Sequence, residues 1–411
     1  MSTKNIIVDN IKKLLTIVMN RIIIVLRKES ILIVIALKKS TEEGNLMKKF
    51  LAMILTLVLV LSLFSGCGGG TKGSGTEPES KLLVGMLIRD LANPYYVQLQ
   101  EGAKLFLNDV VGEGNYDLTM YESQGSDEKQ INDAKAFIAR VVDGNGILYV
   151  DPNNAPNAAV IADLCEEAGI YWNTTWSYAN GIYPMDYEYY VMHETADNVQ
   201  GAYETAKAMF ESFETPGQGK VVAIQGMLSN DASIDREKGW RKALAEYPNV
   251  ELLDIQPSDW SPQKGLTLIQ TWLSKYGDDI DGVLVANDTV AMAVAEGLRA
   301  EGLNGKVKVV GFDGIDDVLP MIESGDILAT YGSNPYIQAG YGLAYDYAAL
   351  KGDIVTADLP GEERMIQTKG ILISSATLAD YIAEFVDSKP DYDYSDLKFA
   401  ISSPMDLDNL N

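Results

Sequence analysis

Residues 84–104 read VGMLIRDLANPYYVQLQEGAK. With Lys81-Leu82-Leu83 ahead of it, the run to Ile88 has the length and apolar character of a buried strand. From Val97 the apolar positions recur at helical spacing. Asn93-Pro94 stiffens the turn between the two. A buried strand that hands over directly to a helix is the first half of a βαβ unit. Two adjacent tyrosines, Tyr95 and Tyr96, stand at the handover. Neighbours at a turn point in different directions, so a single core position does not explain both.

The same alternation continues down the chain. KLLVGMLI (81–88), YDLTMYES (116–123), GILYVDP (146–152) and IYWNTTW (170–176) read as strands, separated by helical patterns at 97–110, 128–142 and 155–169. It restarts after Asp197-Asn198: helix, KVVAIQG (220–226), helix at 233–248, VELLDIQ, helix, DGVLVAND, helix, VKVVGFD. Two such runs of similar length imply two α/β lobes with parallel sheets.

The totals narrow the function. The chain has 411 residues and a formal charge of −25. Residues 1–66 carry ten Lys/Arg against four Asp/Glu, which leaves −31 on the remainder. Such a surface repels a phosphate backbone and excludes nucleic acid as a partner. Two cysteines, Cys67 and Cys165, give no disulfide framework. A lone histidine, His193, argues against His-based metal sites and Ser-His-Asp catalysis. No metal and no cofactor is expected, and the chain is read as a non-enzyme and a monomer.

The front end has the layout of an export signal. Lys48-Lys49 precede an uncharged run from Phe50 to Gly66 that ends in small residues before Cys67. Ser65-Gly66-Cys67 resembles the lipobox of bacterial lipoproteins, which makes Cys67 the expected lipidation site. Phe64 stands where that pattern usually has Leu. Residues 47–66 are then the signal peptide, and GGGTKGSGTEPES (68–80) completes a flexible tether over 67–80. A coil of that length holds a domain roughly 20 Å from the membrane. Residues 1–46 are Ile/Lys-rich, with apolar runs too short to span a bilayer, and are read as a translated upstream region with Met47 the true start.

In open parallel sheets ligands bind beyond the carboxyl ends of the strands. Those positions hold Arg89, Asp90, Asn93, Tyr95 and Tyr96 after the first strand, then Asp151, Asn153 and Asn154, then Thr174, Thr175 and Trp176. In the second half they hold Asp231 and Arg236, Trp260, Asn287 and Asp288, Asp313, and Ser333 with Asn334. The set combines aromatic faces with bidentate polar groups. Neither a nucleophile–base pair nor a phosphate-binding glycine loop is among them.

These residues carry a resemblance. From about 81 to 385 the chain resembles the type I periplasmic-binding proteins for sugars, the ribose- and galactose-binding group. LANPYYVQLQEGA (91–103), Arg236-Glu-Lys-Gly-Trp240, VLVANDTVAMAVAEGLRAEG (283–302) and VKVVGFDGIDD (307–317) match family motifs in order and spacing. The resemblance implies two Rossmann-like lobes joined by three crossover segments near 195–198, 332–335 and 367–371. The lobes would be 81–196 plus 334–368 and 197–333 plus 369–385, followed by an acidic tail, 386–411. It implies a ligand cleft lined by Arg89, Asp90, Asn93, Tyr95, Tyr96, Asn153, Trp172, Asn173 and Trp176 on one side. Arg236, Trp260, Asn287, Asp313, Ser333 and Asn334 would line the other. The chain departs from the ribose-binding pattern at Arg89, at Thr175-Trp176 and at Ser333. With Trp172 and Trp176 additional, the departures suggest a sugar other than ribose, and a larger one.

The bland readings are as definite. Trp240 and Trp272, at helical spacing among Ala and Leu, belong in a core; Trp172, inside a strand, fits core or cleft. Asp288 caps its own helix, His193 is structural and Cys165 is a buried thiol. The tail lacks a calcium-loop pattern and is read as solvated. The function expected is that of a lipid-anchored, extracytoplasmic binder that closes on a sugar and delivers it to the permease of an ABC importer. The alternative is a sensory binder of a sugar-like signal.

Overall fold

The protein is described here by a computed structural model covering residues 80–178, 181–387 and 392–405. The expectations for 1–46, for the signal peptide 47–66 and for Cys67 and most of the tether lie outside those residues. Leu82–Ile88 (β1) is buried at every position except Leu83. It pairs in parallel with β2 (Tyr116–Glu122) on one side and β3 (Gly146–Val150) on the other. β4 (Tyr171–Thr175) and β5 (Tyr190–Ala196) extend the sheet, again in parallel. Helices α1 (Pro94–Phe106), α2 (Asp127–Arg140) and α3 (Ala155–Ala168) alternate with these strands.

The chain then builds a second sheet. It runs through α4 (Asn198–Glu211), β6 (Gln218–Gln225), α5 (Asp231–Glu246), β7 (Asn249–Pro257) and α6 (Pro262–Tyr276). β8 (Gly282–Val285), α7 (Asp288–Ala300), β9 (Lys308–Val310), α8 (Leu319–Glu323) and β10 (Ala329–Gly332) follow. It then returns to the first lobe as α9 (Pro335–Lys351), which is buried along most of its length between α1 and the sheet. The close approach of α1 and α9 depends on Gly102, where a Cβ would lie 2.5 Å from the Tyr336 Cα.

α10 (Gly361–Arg364) leads into β11 (Met365–Thr368), which adds in parallel to β5. β12 (Ile371–Ser374) pairs antiparallel with β10 in the second sheet. α11 (Leu378–Tyr381) stays on that lobe, where Tyr381 Oη donates to the Gly314 carbonyl at 3.2 Å. β13 (Ile401–Pro404) closes the first sheet, antiparallel to β11. The orders are β13-β11-β5-β4-β3-β1-β2 and β12-β10-β9-β8-β6-β7. This is the two-lobed α/β architecture read from the strand–helix alternation. The sheets are mixed, each with one antiparallel edge strand.

The chain passes between the sheets at Asp197, at Ser333-Asn334 and at Lys369-Gly370, in the three places expected for the crossovers; among the described residues it also returns from α11 on the second lobe to β13 in the first sheet. One expectation needs correction: the described part of the tail, residues 392–405, is not solvated along its length. Tyr394 is 7% exposed, with its ring 5.2 Å from that of Phe106 and 5.1 Å from that of Tyr341. Phe399 stacks on Tyr341 at 5.5 Å, and the Lys369 amide donates to the Ala400 carbonyl at 3.3 Å. The acidic composition concealed aromatic residues that find their partners far away in sequence.

Trp240 and Trp272 are buried, as is the free thiol of Cys165. His193 is fully buried beside Thr174 Oγ1 (2.9 Å), and burial holds its pKa down to about 3, so the ring is neutral. Replacing Tyr394 with alanine tests the packing of the tail. Loss of a buried aromatic side chain costs about 3 kcal/mol, so Tm measured by calorimetry should fall by roughly 6–12 °C. A solvated tail would leave Tm unchanged.

Candidate ligand-binding cleft

The carboxyl ends of both sheets face one cleft, and the turn between β1 and α1 shows how the sequence furnishes it. Asn93 caps α1, its Oδ1 accepting from the Tyr95 amide at 3.0 Å, and Pro94 occupies the first turn. This fixes the two tyrosines in divergent directions, rings 5.3 Å apart and nearly perpendicular at 83°. Tyr95 Oη donates to Gln338 Oε1 of α9 and accepts from Trp176 Nε1 at 3.0 Å. Tyr96 Oη donates to Asp151 Oδ2. Each tyrosine presents a ring to the cleft while its hydroxyl braces a different neighbour.

On the second lobe Arg236 is the centre. Its guanidinium is buried, with Nε donating to Asn198 Oδ1 (2.9 Å) and Nη1 to the Ala286 carbonyl (2.5 Å). Nη1 also lies 3.5 Å from Asp313 Oδ1. Aromatic rings surround it: Phe312 at 3.7 Å, Trp176 at 4.9 Å and Trp260 at 5.6 Å from Cζ. Trp260 fits because residue 226 is glycine; a Cβ there would stand 2.2 Å from its ring. Asp288 does not cap its helix as expected. It accepts from the Gly314 amide (2.7 Å), the Ile315 amide (3.2 Å) and Thr330 Oγ1 (2.6 Å), and so fixes the turn that presents Asp313.

Backbone strain gathers here. Trp176 (φ 63°), Trp260 (φ 62°) and Asp313 (φ 120°) all have positive φ, and all three line the cavity. Such conformations are costly for non-glycine residues and persist where the surroundings hold them, commonly at ligand sites. The lobes meet around the cavity. Thr289 Oγ1 donates to Asn93 Oδ1 (2.9 Å), Asn230 Nδ2 to Ser177 Oγ (2.9 Å), and the Tyr178 amide to Asp231 Oδ2 (3.2 Å). The remaining cavity is about 50 Å³.

The structure brings nine of the expected residues to this cavity: Arg89, Asn93, Tyr95, Tyr96 and Trp176 from one lobe, and Arg236, Trp260, Asn287 and Asp313 from the other. Six others lie away from it. Asp90 accepts from the Ala92 amide within its own turn at 2.8 Å. Asn153 is fully buried, its amide bonded to Gln130 (2.9 Å) and its Oδ1 to Ser123 (2.9 Å). Trp172 stacks on Tyr190 in the core at 4.1 Å, and Asn173 donates to Asp346 beneath α9 at 2.8 Å. Ser333 donates to the Asp313 carbonyl at 3.2 Å, and Asn334 caps α9. The cause is strand alternation: within β4, residues 172 and 173 point to the two covered faces of the sheet, and only the chain beyond its end reaches the cleft. The larger sugar inferred from the two tryptophans therefore loses its basis, because Trp172 is core and Trp176 narrows the cavity.

Asp151, Asn230 and Ala232 also line the cavity. Asp151 directly follows β3, where the strand-tip rule pointed; selecting Asn153 moved two residues too far. Asn230 precedes α5 in a loop with no periodic signal. Three lining oxygens, Asp151 Oδ1, Asn230 Oδ1 and Asn287 Oδ1, are buried and have no partner among the described residues. Burial raises the Asp151 carboxyl to about 6, opposed by Arg89 and the Tyr96 hydroxyl. Burial likewise raises Asp313, with Arg236 opposing, and lowers the Arg236 guanidinium. The cleft is thus a desolvated pocket with two arginines, two aspartates and aromatic walls.

Two hinged α/β lobes closed over such a pocket define a solute-binding protein. Residues 84–354 match the family described as Periplasmic binding protein domain, and the chain belongs to that family. It is 25% identical over 323 residues to the ribose import binding protein of Haemophilus influenzae, covering 78% of this chain and 99% of that protein. A shorter match, 34% over 142 residues, covers 34% of this chain and 40% of the xylitol-binding protein of Mycolicibacterium smegmatis. Among solved structures, a twin-arginine translocation pathway signal protein from Burkholderia phytofirmans superposes with a TM-score of 0.75 at 34% identity, over 79% of this chain and 98% of its own. The Caulobacter myo-inositol binding protein, bound to myo-inositol, gives a TM-score of 0.63 at 27% identity, over 75% and 98%.

The raised Asp151 pKa has a consequence for stability. Its carboxyl keeps a proton in the folded chain up to about 6, whereas the ordinary value is 3.8. Its stability contribution is therefore complete below pH 4 and is lost as pH rises toward 6 and beyond, by an amount of order 3 kcal/mol. In Asp151→Asn, which keeps an acceptor for Tyr96, the decline of Tm between pH 4 and 6.5 should be shallower than in the parent. Parallel profiles would show that Asp151 does not titrate in this window.

Proposed function

We propose that this protein is an extracytoplasmic binding component of an ATP-driven importer, taking a small uncharged sugar or polyol by closure of its lobes. The observation that carries the reading is the trio of buried, unpartnered oxygens on Asp151, Asn230 and Asn287 beside aromatic rings. Buried polar atoms are rarely left unpaired in native proteins. A ligand rich in hydroxyls pairs with acceptors and guanidinium donors together, and its C–H faces lie against tyrosine and tryptophan rings. Two arginines and two aspartates balance formally, which suits a neutral solute. Relatives whose names give xylitol and ribose as ligands support the same class. The name of the ribose relative, an import binding protein, favours transport over sensing.

Closure shifts an existing equilibrium by the difference in ligand affinity between open and closed forms. The permease would read that difference, with the binder acting as a monomer. Export and anchoring rest on residues 47–67: cleavage before Cys67 and diacylation of its thiol would hold the domain on the outer face of the cytoplasmic membrane. Changing Cys67 to serine should then move the protein from the membrane fraction to the medium or periplasm, and an unchanged fractionation would refute the anchor.

Binding is tested by calorimetry on residues 80–411 against a panel of pentoses, hexoses and polyols. At least one should bind and raise Tm. Removing the aromatic faces with Tyr95→Ala or Trp260→Ala should weaken it about 5- to 150-fold, the equivalent of ~1–3 kcal/mol. Unchanged affinity in both variants would remove the aromatic walls from the site.

A further inference from the structure

The turn after β4 does something the rest of the cleft does not. Trp176 sits at φ 63°, a conformation that a bulky residue adopts only at a cost. Its local hydrogen bonds are backbone bonds, from its own amide to the Glu194 carbonyl (3.2 Å) and from the Ser177 amide to the Thr175 carbonyl (2.7 Å). Nothing in that turn calls for an indole. The side chain is nevertheless 7% exposed and lies between the lobes.

Its polar capacity is already used. The single indole donor goes to Tyr95 Oη at 3.0 Å, and the ring carries the Arg236 guanidinium at 4.9 Å. Phe312 and Tyr95 hold it at ring separations of 6.4 and 5.6 Å. Trp176 can offer a ligand only apolar surface, so it acts as a wall and leaves hydroxyl reading to the polar residues. With that wall in place the cavity is about 50 Å³. A buried water needs roughly 10–15 Å³, so the space corresponds to about three to five waters. A carbon bearing a hydroxyl takes at least the room of one water. The closed cleft therefore holds at most about five hydroxylated carbons.

We infer that Trp176 is the specificity-determining residue that limits ligand size, admitting triols to pentitols and pentoses and rejecting six-carbon ligands and disaccharides. The inference rests on the sugar- or polyol-binding reading above and goes beyond it by fixing a size class and the residue responsible.

The test uses linear polyols, which differ only in the number of hydroxylated carbons: glycerol, erythritol, xylitol and sorbitol, with maltose as a two-ring control. Calorimetry is run on the parent, Trp176→Ala and Trp176→Phe. In the parent, affinity should peak at or below xylitol and fall about 10- to 200-fold at sorbitol, the range by which pockets discriminate one added carbon. Trp176→Ala should bind sorbitol at least tenfold more tightly than the parent does, with the xylitol preference lost. Trp176→Phe, which keeps a ring but no N–H, should retain the size limit and serves as the test if the alanine variant does not fold. Sorbitol or maltose bound by the parent as tightly as xylitol would overturn the proposal while leaving the binding function intact, as would an unchanged preference in Trp176→Ala. If the parent bound none of these polyols, a pentose of the wider panel bound at least tenfold more tightly than any hexose would uphold the size limit, and a hexose bound as tightly would overturn it; if nothing in the panel bound, the binding reading itself would fall, and the size limit with it.

Discussion

The buried Arg236 guanidinium is the group around which the cleft is organised. A cation withdrawn from water loses several kcal/mol of solvation unless it is paired and hydrogen-bonded. The chain meets that requirement from scattered places: Asn198 at the start of α4, the Ala286 carbonyl just after β8, and Asp313 beyond β9. Phe312 and Trp260 cover it from the second lobe, and Trp176 reaches over from the first. Because one of its aromatic partners belongs to the opposite lobe, satisfying this one charge also favours the closed arrangement. Asp288 contributes at one remove, by holding the Gly314 turn in place.

The first lobe answers with a rigid floor. α9 is buried along most of its length, and its polar residues point into the protein. Gln338 takes the Tyr95 hydroxyl, and Asp346 takes the Asn173 amide. Nearby, Tyr149 donates to Glu194 at 2.8 Å, and burial raises the carboxyls of both Glu194 and Asp346. Low dielectric under the sheet disfavours the charged form of each. The aromatic face that Tyr95 shows to the cleft is thus backed by a network that leaves little room for it to turn.

The strand–helix alternation made the two lobes legible, because buried parallel strands and their covering helices leave distinct periodicities. The strand-tip rule then located most of the cleft, and it succeeded where a residue lies just past a strand or opens the next helix, as with Tyr95, Asn287 and Asp313. It failed where the residue was still inside a strand, as with Thr174 and Thr175, or had passed into the following turn, as with Asn153; Trp172 and Asn173, taken from the family resemblance, are likewise inside that strand. Asn230 carried no signal, since its place is set by a loop and its contact with Ser177 spans both lobes. The tail was misread for a related reason. Its charges are local and visible, whereas the partners of Tyr394 and Phe399 are Phe106 and Tyr341, brought there only by the tertiary fold.

The return of the chain to the first sheet at β13 adds contacts that hold the two lobes together. Here Tyr381 is bonded to Gly314 in the second lobe, Tyr394 packs on Phe106 in the first, and Ala400 is tied to Lys369 in the third connection. The lobes are thus tied at Lys369–Ala400 beside the third connection, in the same arrangement that sets the Trp176 ring over the Arg236 guanidinium.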